Sequence, residues 1–138
     1  MIGIIAISHG PYAKSLIQSV EMVYGKQEKL QAICLGQDES LESLQIKIND
    51  AVRALNLKKI LIIVDLLGGT PYNATSMQLS NPNINVITGL NMPMLLHILP
   101  HRNKSLEEVS EIAIMSGKNG IINVSKKFKS LNEAKGKI

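Results

Sequence analysis

The sequence predicts an α/β domain, a doubly wound and mostly parallel five-stranded sheet with helices on both faces. Three observations predict it. Two short runs, Ile2–Ile7 and Ile60–Val64, are almost wholly apolar and suit strands buried on both faces. Between and after such runs, apolar residues recur at helical spacing. Glycine, proline and asparagine clusters mark most changes of period. Strands that alternate with helices in this way imply a parallel sheet joined by right-handed crossovers.

The first strand, Ile2–Ile7, stops at Ser8-His9-Gly10-Pro11. Pro11 suits a helix's first turn, and Ala13, Leu16, Ile17, Val20 and Val23 then keep helical spacing until Gly25 supplies a stop. Leu30–Leu35 is a second strand, closed by Gly36. Leu41, Leu44, Ile48, Ala51, Val52 and Leu55 mark one face of a second helix. Ile60–Val64 must be a central strand, because it is the most hydrophobic run in the chain. After Asp65 comes Gly68-Gly69-Thr70-Pro71, where Thr70 can cap a short helix that runs to about Leu79. Asn81-Pro82-Asn83 is a turn, and Ile84–Thr88 a fourth strand ending at Gly89. A helix broken by Pro100 follows. Ser105-Leu-Glu-Glu108 is a capping box opening the next helix, which Gly117 and Gly120 end. Ile121–Val124 is expected to be a fifth, short strand.

Length and composition narrow the function. At 138 residues and 45% hydrophobic content, the chain makes one domain with a real core. No apolar run approaches the ~20 residues of a membrane span, and Met1 leads into a strand without a signal-peptide layout. A cytoplasmic location is therefore expected. The lone Cys34 cannot form an intrachain disulfide and reads as a small buried hydrophobe. The net charge of +4 belongs to one segment: residues 126–138 hold five lysines against Glu133, while the other residues balance ten basic groups with ten acidic ones. With one Phe, three Tyr and no Trp, no base-stacking surface is expected, and hence no nucleic-acid partner.

Chemistry should collect at two strand ends. Ser8-His9-Gly10 follows strand one and Asp65-Leu66-Leu67-Gly68-Gly69-Thr70 follows strand three. In a doubly wound order these strands are neighbours, and ligands bind outside the carboxyl ends of such a sheet. A carboxylate at 65 would accept a hydrogen bond from one ring nitrogen of His9 and leave the other nucleophilic. The glycine loop would let amides approach a tetrahedral anion closely. That set suits a histidine that briefly carries a phosphoryl group. His97 and His101 lie on or after the fourth helix and read as incidental. A phosphate-binding G-x-x-x-x-G-K-[ST] loop and a dinucleotide-binding G-x-G-x-x-G are both missing, and His and Cys do not fall at metal-ligand spacing. Cys34 has no Arg six residues on, as a cysteine phosphatase loop would, and a phospho-accepting receiver would need an acidic pair where Ser8-His9 stands.

These residues resemble the IIA component of the mannose-class bacterial phosphotransferase system (PTS). The shared marks are Ile5-Ala-Ile-Ser8-His9-Gly10, Val64-Asp65-Leu-Leu-Gly68-Gly69-Thr70-Pro71-Tyr72-Asn73 and Thr88-Gly89-Leu-Asn91-Met92-Pro93-Met94. The resemblance implies a phosphotransferase domain over residues 1–125, followed by a basic tail over 126–138. His9 is implied as the phosphorylated histidine, taking the group from the phosphocarrier HPr and passing it to the IIB component. Asp65 would orient its ring, with Nε2 as the reactive nitrogen. Gly68, Gly69 and Thr70 would bind phosphate, and Ser8, Gly10, Asn91, Met92 and Pro93 would shape the rim. No metal or other cofactor is implied.

The resemblance also implies a homodimer in which the last strand, here Ile121–Val124, is antiparallel and exchanged. The membrane components IIC and IID would be indirect partners at the inner face of the membrane, and IIB is expected as a separate polypeptide. The tail is longer and more basic than the resemblance implies. Its plain reading is a solvated end; a sharper one is contact with acidic lipid or with a partner near the transporter. Two other roles fit the same residues: the phosphocarrier subunit of a PTS-dependent dihydroxyacetone kinase, and a regulatory domain signalling through phosphorylated His9. The sugar is not written in this chain.

Overall fold

The computed structural model describes residues 1–136. In chain order the elements are β1 (Gly3–His9), α1 (Tyr12–Tyr24), β2 (Leu30–Leu35), α2 (Leu41–Leu55), β3 (Ile60–Val64), α3 (Gly69–Thr75), β4 (Ile84–Thr88), α4 (Met92–Ile98), α5 (Leu106–Asn119) and α6 (Val124–Gly136). Single 3₁₀ turns extend α3 over Ser76–Ser80 and α4 over Leu99–His101. The four strands form one parallel sheet in the order β2-β1-β3-β4.

Side chains of a strand alternate between faces, so β1 and β3 each feed two cores. Ile4, Ala6, Leu61 and Ile63 pack under α1, α4 and α5. Ile5, Ile7, Ile62 and Val64 pack under α2 and α3. Every residue of β3 is buried, which explains its unbroken apolar sequence. The chain winds one way from β1 to β2 and the other way from β2 through β3 to β4. The sheet thus reverses direction between β1 and β3.

The expected fifth strand is not formed. Ile121 and Ile122 are exposed, and Val124 already belongs to α6. Asn123 instead opens a helix: its Oδ1 accepts the amide of Lys126 at 3.0 Å, an N-cap for α6. The sheet therefore has four strands among the described residues. The tail, expected as a solvated end, is the exposed helix α6 through Gly136; Lys137 and Ile138 lie outside the described residues. Three smaller differences have local reasons. Val23 is exposed because it sits at the margin of the apolar stripe of α1. Gly68, not Thr70, precedes the first residue of α3, since positive φ at Gly68 and Gly69 lets the helix start earlier. Gly117 lies buried inside α5, where its bare backbone accommodates Met94 and Asn91; Gly120 alone ends that helix.

The opposite end of the sheet is held by a buried guanidinium. Arg102 donates from Nε to the carbonyl of Ile2 at 2.9 Å, from Nη1 to Glu28 at 2.7 Å and from Nη2 to Lys29 at 2.8 Å. Burial lowers its pKa, and nearby Glu28 partly opposes that effect. Three carbonyls from two segments share one fork, so the starts of β1 and β2 stay in register. Arg102→Met should leave them unpaired and cost about 3 kcal/mol in unfolding free energy. Urea denaturation of the two proteins measures it.

Candidate functional site

Three loops meet at the carboxyl edge of the sheet, where its direction reverses. The amide of Asp65 donates to the carbonyl of Ile7 at 3.0 Å, extending the β1–β3 ladder by one step. The amide of Leu90 donates to the carbonyl of Val64 at 3.2 Å and draws in the loop after β4. Open α/β sheets build their sites at such a reversal because the crossing helices leave a crevice there.

The period of β1 decides where its last residues point. Ser8 falls on the α1 side and is fully buried. Its hydroxyl donates to the carbonyl of Gly10 at 3.1 Å and accepts the amide of Ala13 at 2.7 Å. It thereby fixes the entry into α1 rather than facing solvent. His9 falls on the α3 side, and its side chain keeps 48% of its surface exposed against 10% for Asp65. Gly10 turns the chain from β1 toward α1 with φ of 53°.

His9 Nδ1 lies 2.7 Å from Asp65 Oδ2, which also accepts the main-chain amide of His9 at 2.9 Å. The amide of Leu66 donates to Oδ1 at 2.9 Å. Two amides of the rigid main chain therefore fix the carboxylate before the ring arrives. A carboxylate only accepts, so Nδ1 carries the proton in this pair, and in the neutral ring the lone pair is left on Nε2. Gly69 lies against the far side of the ring. A Cβ there would stand 3.3 Å from both Cε1 and Nε2, and φ at this position is 85°. Gly68 has φ of 95°, and Thr70 is half-buried in the first turn of α3. His9, Asp65 and Gly69 are thus brought together, with Gly68 next to Gly69 in the same turn.

Asn91, Met92 and Pro93 serve the neighbouring junction. Asn91 caps α4 by accepting the amide of Met94 at 3.0 Å, and its Nδ2 donates to the carbonyl of Gly117 at 3.3 Å. Met92 and Pro93 form the first turn of α4, with the Pro93 ring packed where Gly120 has no side chain. Cys34 is half-buried on the edge strand. His97, exposed on the outer side of α4, has its Nδ1 2.7 Å from the carbonyl of Pro93.

Two features were not anticipated. Tyr12 donates its hydroxyl to the carbonyl of Leu90 at 2.6 Å, bridging α1 to the loop after β4. Burial, and secondarily the charge of Asp65, raise its pKa, so it stays a donor. Leu66 and Leu67, directly after Asp65, are exposed apolar side chains in the loop that carries it. The only signal for Tyr12 was an aromatic residue two positions after Gly10 in a chain with few aromatics. Among the described residues, no group of three His, Cys, Asp or Glu side chains could hold a metal ion. A cavity of about 790 Å³ lies at the other end of the sheet, around Ile2, Lys59 and Ser105. It lies away from His9 and Asp65.

Comparison with known proteins follows the same outline. A family model, EIIA-man, described as "PTS system fructose IIA component", matches residues 3–114. The chain is 37% identical to the PTS system sorbose-specific EIIA component of Lacticaseibacillus casei, covering 72% of this chain and 73% of that one. It is 34% identical to the PTS system mannose-specific EIIAB component of Escherichia coli K12, over 87% of this chain. The match spans only 38% of that longer relative. A crystal structure of phosphotransferase system component EIIA from Streptococcus agalactiae superposes with a TM-score of 0.84 at 30% identity, covering 91% of this chain and 99% of that one.

Gly69→Ala tests the close approach. The new methyl group meets the ring and the backbone is strained, so stability should fall by about 1 kcal/mol. The His9 side-chain resonances should move in NMR spectra, whereas Gly25→Ala, equally strained but beside open space, should leave them in place.

Proposed function

This chain belongs to the EIIA-man family, the IIA components of the mannose-class phosphotransferase system, and from that membership we propose that it relays a phosphoryl group through His9. Proteins of this family are phosphotransferases. The observation that carries the reading is the Nδ1–Asp65 pair at 2.7 Å on a side chain that keeps about half of its surface exposed.

The donor in this reading is the phosphohistidine of HPr. His9 Nε2 attacks its phosphorus; the donor's P–N bond breaks and a new one forms at Nε2. The ring becomes positively charged as its lone pair is committed, and the carboxylate of Asp65 stabilises that charge while holding the Nδ1 proton. Amides around Gly68, Gly69 and Thr70 face the transferred group. The reverse geometry then delivers the group to the IIB component. An exposed nucleophile, with exposed apolar Leu66 and Leu67 on the loop that supplies Asp65, suits a reaction between two protein surfaces. Ser8, Gly10 and the Asn91–Pro93 turn act by holding the loops, through the contacts described above. Sugar, membrane components and a cytoplasmic location belong to the same proposal, as does the homodimer. Among the described residues no helix is long and apolar enough to cross a membrane.

Incubation with phosphoenolpyruvate, enzyme I and HPr, followed by mass spectrometry, should show one acid-labile phosphate on His9. His9→Ala should abolish it with an unchanged circular dichroism spectrum. Asp65→Asn keeps the shape but removes the charge that holds the Nδ1 proton. Transfer should slow by at least about a hundredfold, measured by rapid quench.

A further inference from the structure

The helix α6 combines an exposed apolar stripe with a cluster of lysines. Val124, Phe128 and Leu131, spaced i, i+4 and i+7, form a narrow apolar stripe. All three are exposed, at 71%, 63% and 55%, and no residue of the helix is buried. Lys126, Lys127, Lys129 and Lys135 surround the stripe, with Glu133 the one acid. The body before it, residues 1–123, is neutral: ten basic against ten acidic groups.

We propose that α6 lies along an anionic lipid surface, with Val124, Phe128 and Leu131 in the headgroup boundary and the lysines on the acidic headgroups. Charge chooses this occupant. Each α6 carries a net +3, so pairing the helices of two copies would set like charges around one seam. An anionic bilayer complements the apolar stripe and the lysines at once, and lysine stems can lie over the stripe with their ammonium groups outward. Thirteen residues at 1.5 Å rise cannot span a bilayer, so the helix rests on it. The helix also leaves the body at a defined place. Gly120 packs on Pro93, at the start of α4 and immediately beyond the carboxyl end of β4. Docking α6 would therefore hold the His9 edge of the sheet toward the membrane, independently of any chemistry at His9.

Sedimentation of the full chain with vesicles tests this. It should co-sediment with phosphatidylcholine vesicles containing about 30% phosphatidylserine, stay in the supernatant with phosphatidylcholine alone, and release as salt shortens the screening length. The triple variant Lys126→Gln, Lys127→Gln, Lys129→Gln should bind roughly a hundredfold more weakly. Phe128→Asp should also detach, and all four positions are exposed, so neither variant disturbs the core. Equal sedimentation with both vesicle types, with neither, or undiminished binding of the triple variant would overturn the proposal. So would a Phe128→Asp change from dimer to monomer in a protein that no vesicle retains, since a second copy would then cover the stripe.

Discussion

The site depends on a carboxylate that cannot move. Asp65 is the first residue past β3, and its own amide still belongs to the ladder with β1. Its side chain is held by the amides of His9 and Leu66, both groups of the main chain. A ring hydrogen-bonded to so fixed an acceptor loses its freedom to flip or swing. Orientation is thus a property of the sheet rather than of a flexible side chain, and it is in place before any partner arrives.

The topology explains why these two residues meet although 56 positions separate them. Winding in opposite directions from β1 makes β1 and β3 neighbours and leaves their carboxyl ends uncovered by a crossing helix. Strand alternation does the finer work. One step earlier, Ser8 points to α1 and is consumed as a structural cap; His9 points to α3 and stays available. Shifting the register of β1 by one residue would exchange these roles and bury the imidazole. The apolar residues of β1 forbid that slip, because they must face two different cores. Core packing and chemical placement are set by the same alternation.

Much of this was legible from residues. The unbroken run Ile60–Val64 and the helical spacing of Leu44, Ile48, Ala51 and Leu55 reflect burial, which is a strong and periodic demand. The meeting of His9 with Asp65 followed from strand order, itself a consequence of the alternating elements. Legibility failed where a single side chain overrode a pattern. Ile121-Ile122 has the composition of a strand, yet strand formation needs a partner edge, and the cap at Asn123 acts locally. Thr70 has the chemistry of a cap, but backbone dihedrals at Gly68 and Gly69 moved the helix start ahead of it. Tyr12 and Ser8 act through contacts to Leu90 and Ala13, and no spacing rule forecasts such pairs.

The central claim is that the proton of the His9 ring sits on Nδ1, leaving Nε2 to react. Long-range ¹H–¹⁵N correlation spectra of histidine-labelled protein at pH above the imidazole titration report this directly. The account predicts a protonated Nδ1 and a bare Nε2 for His9, with Nε2 becoming the phosphorus-bonded nitrogen after phosphorylation. A proton found on Nε2 in the free protein, or phosphorus bonded to Nδ1, would contradict it.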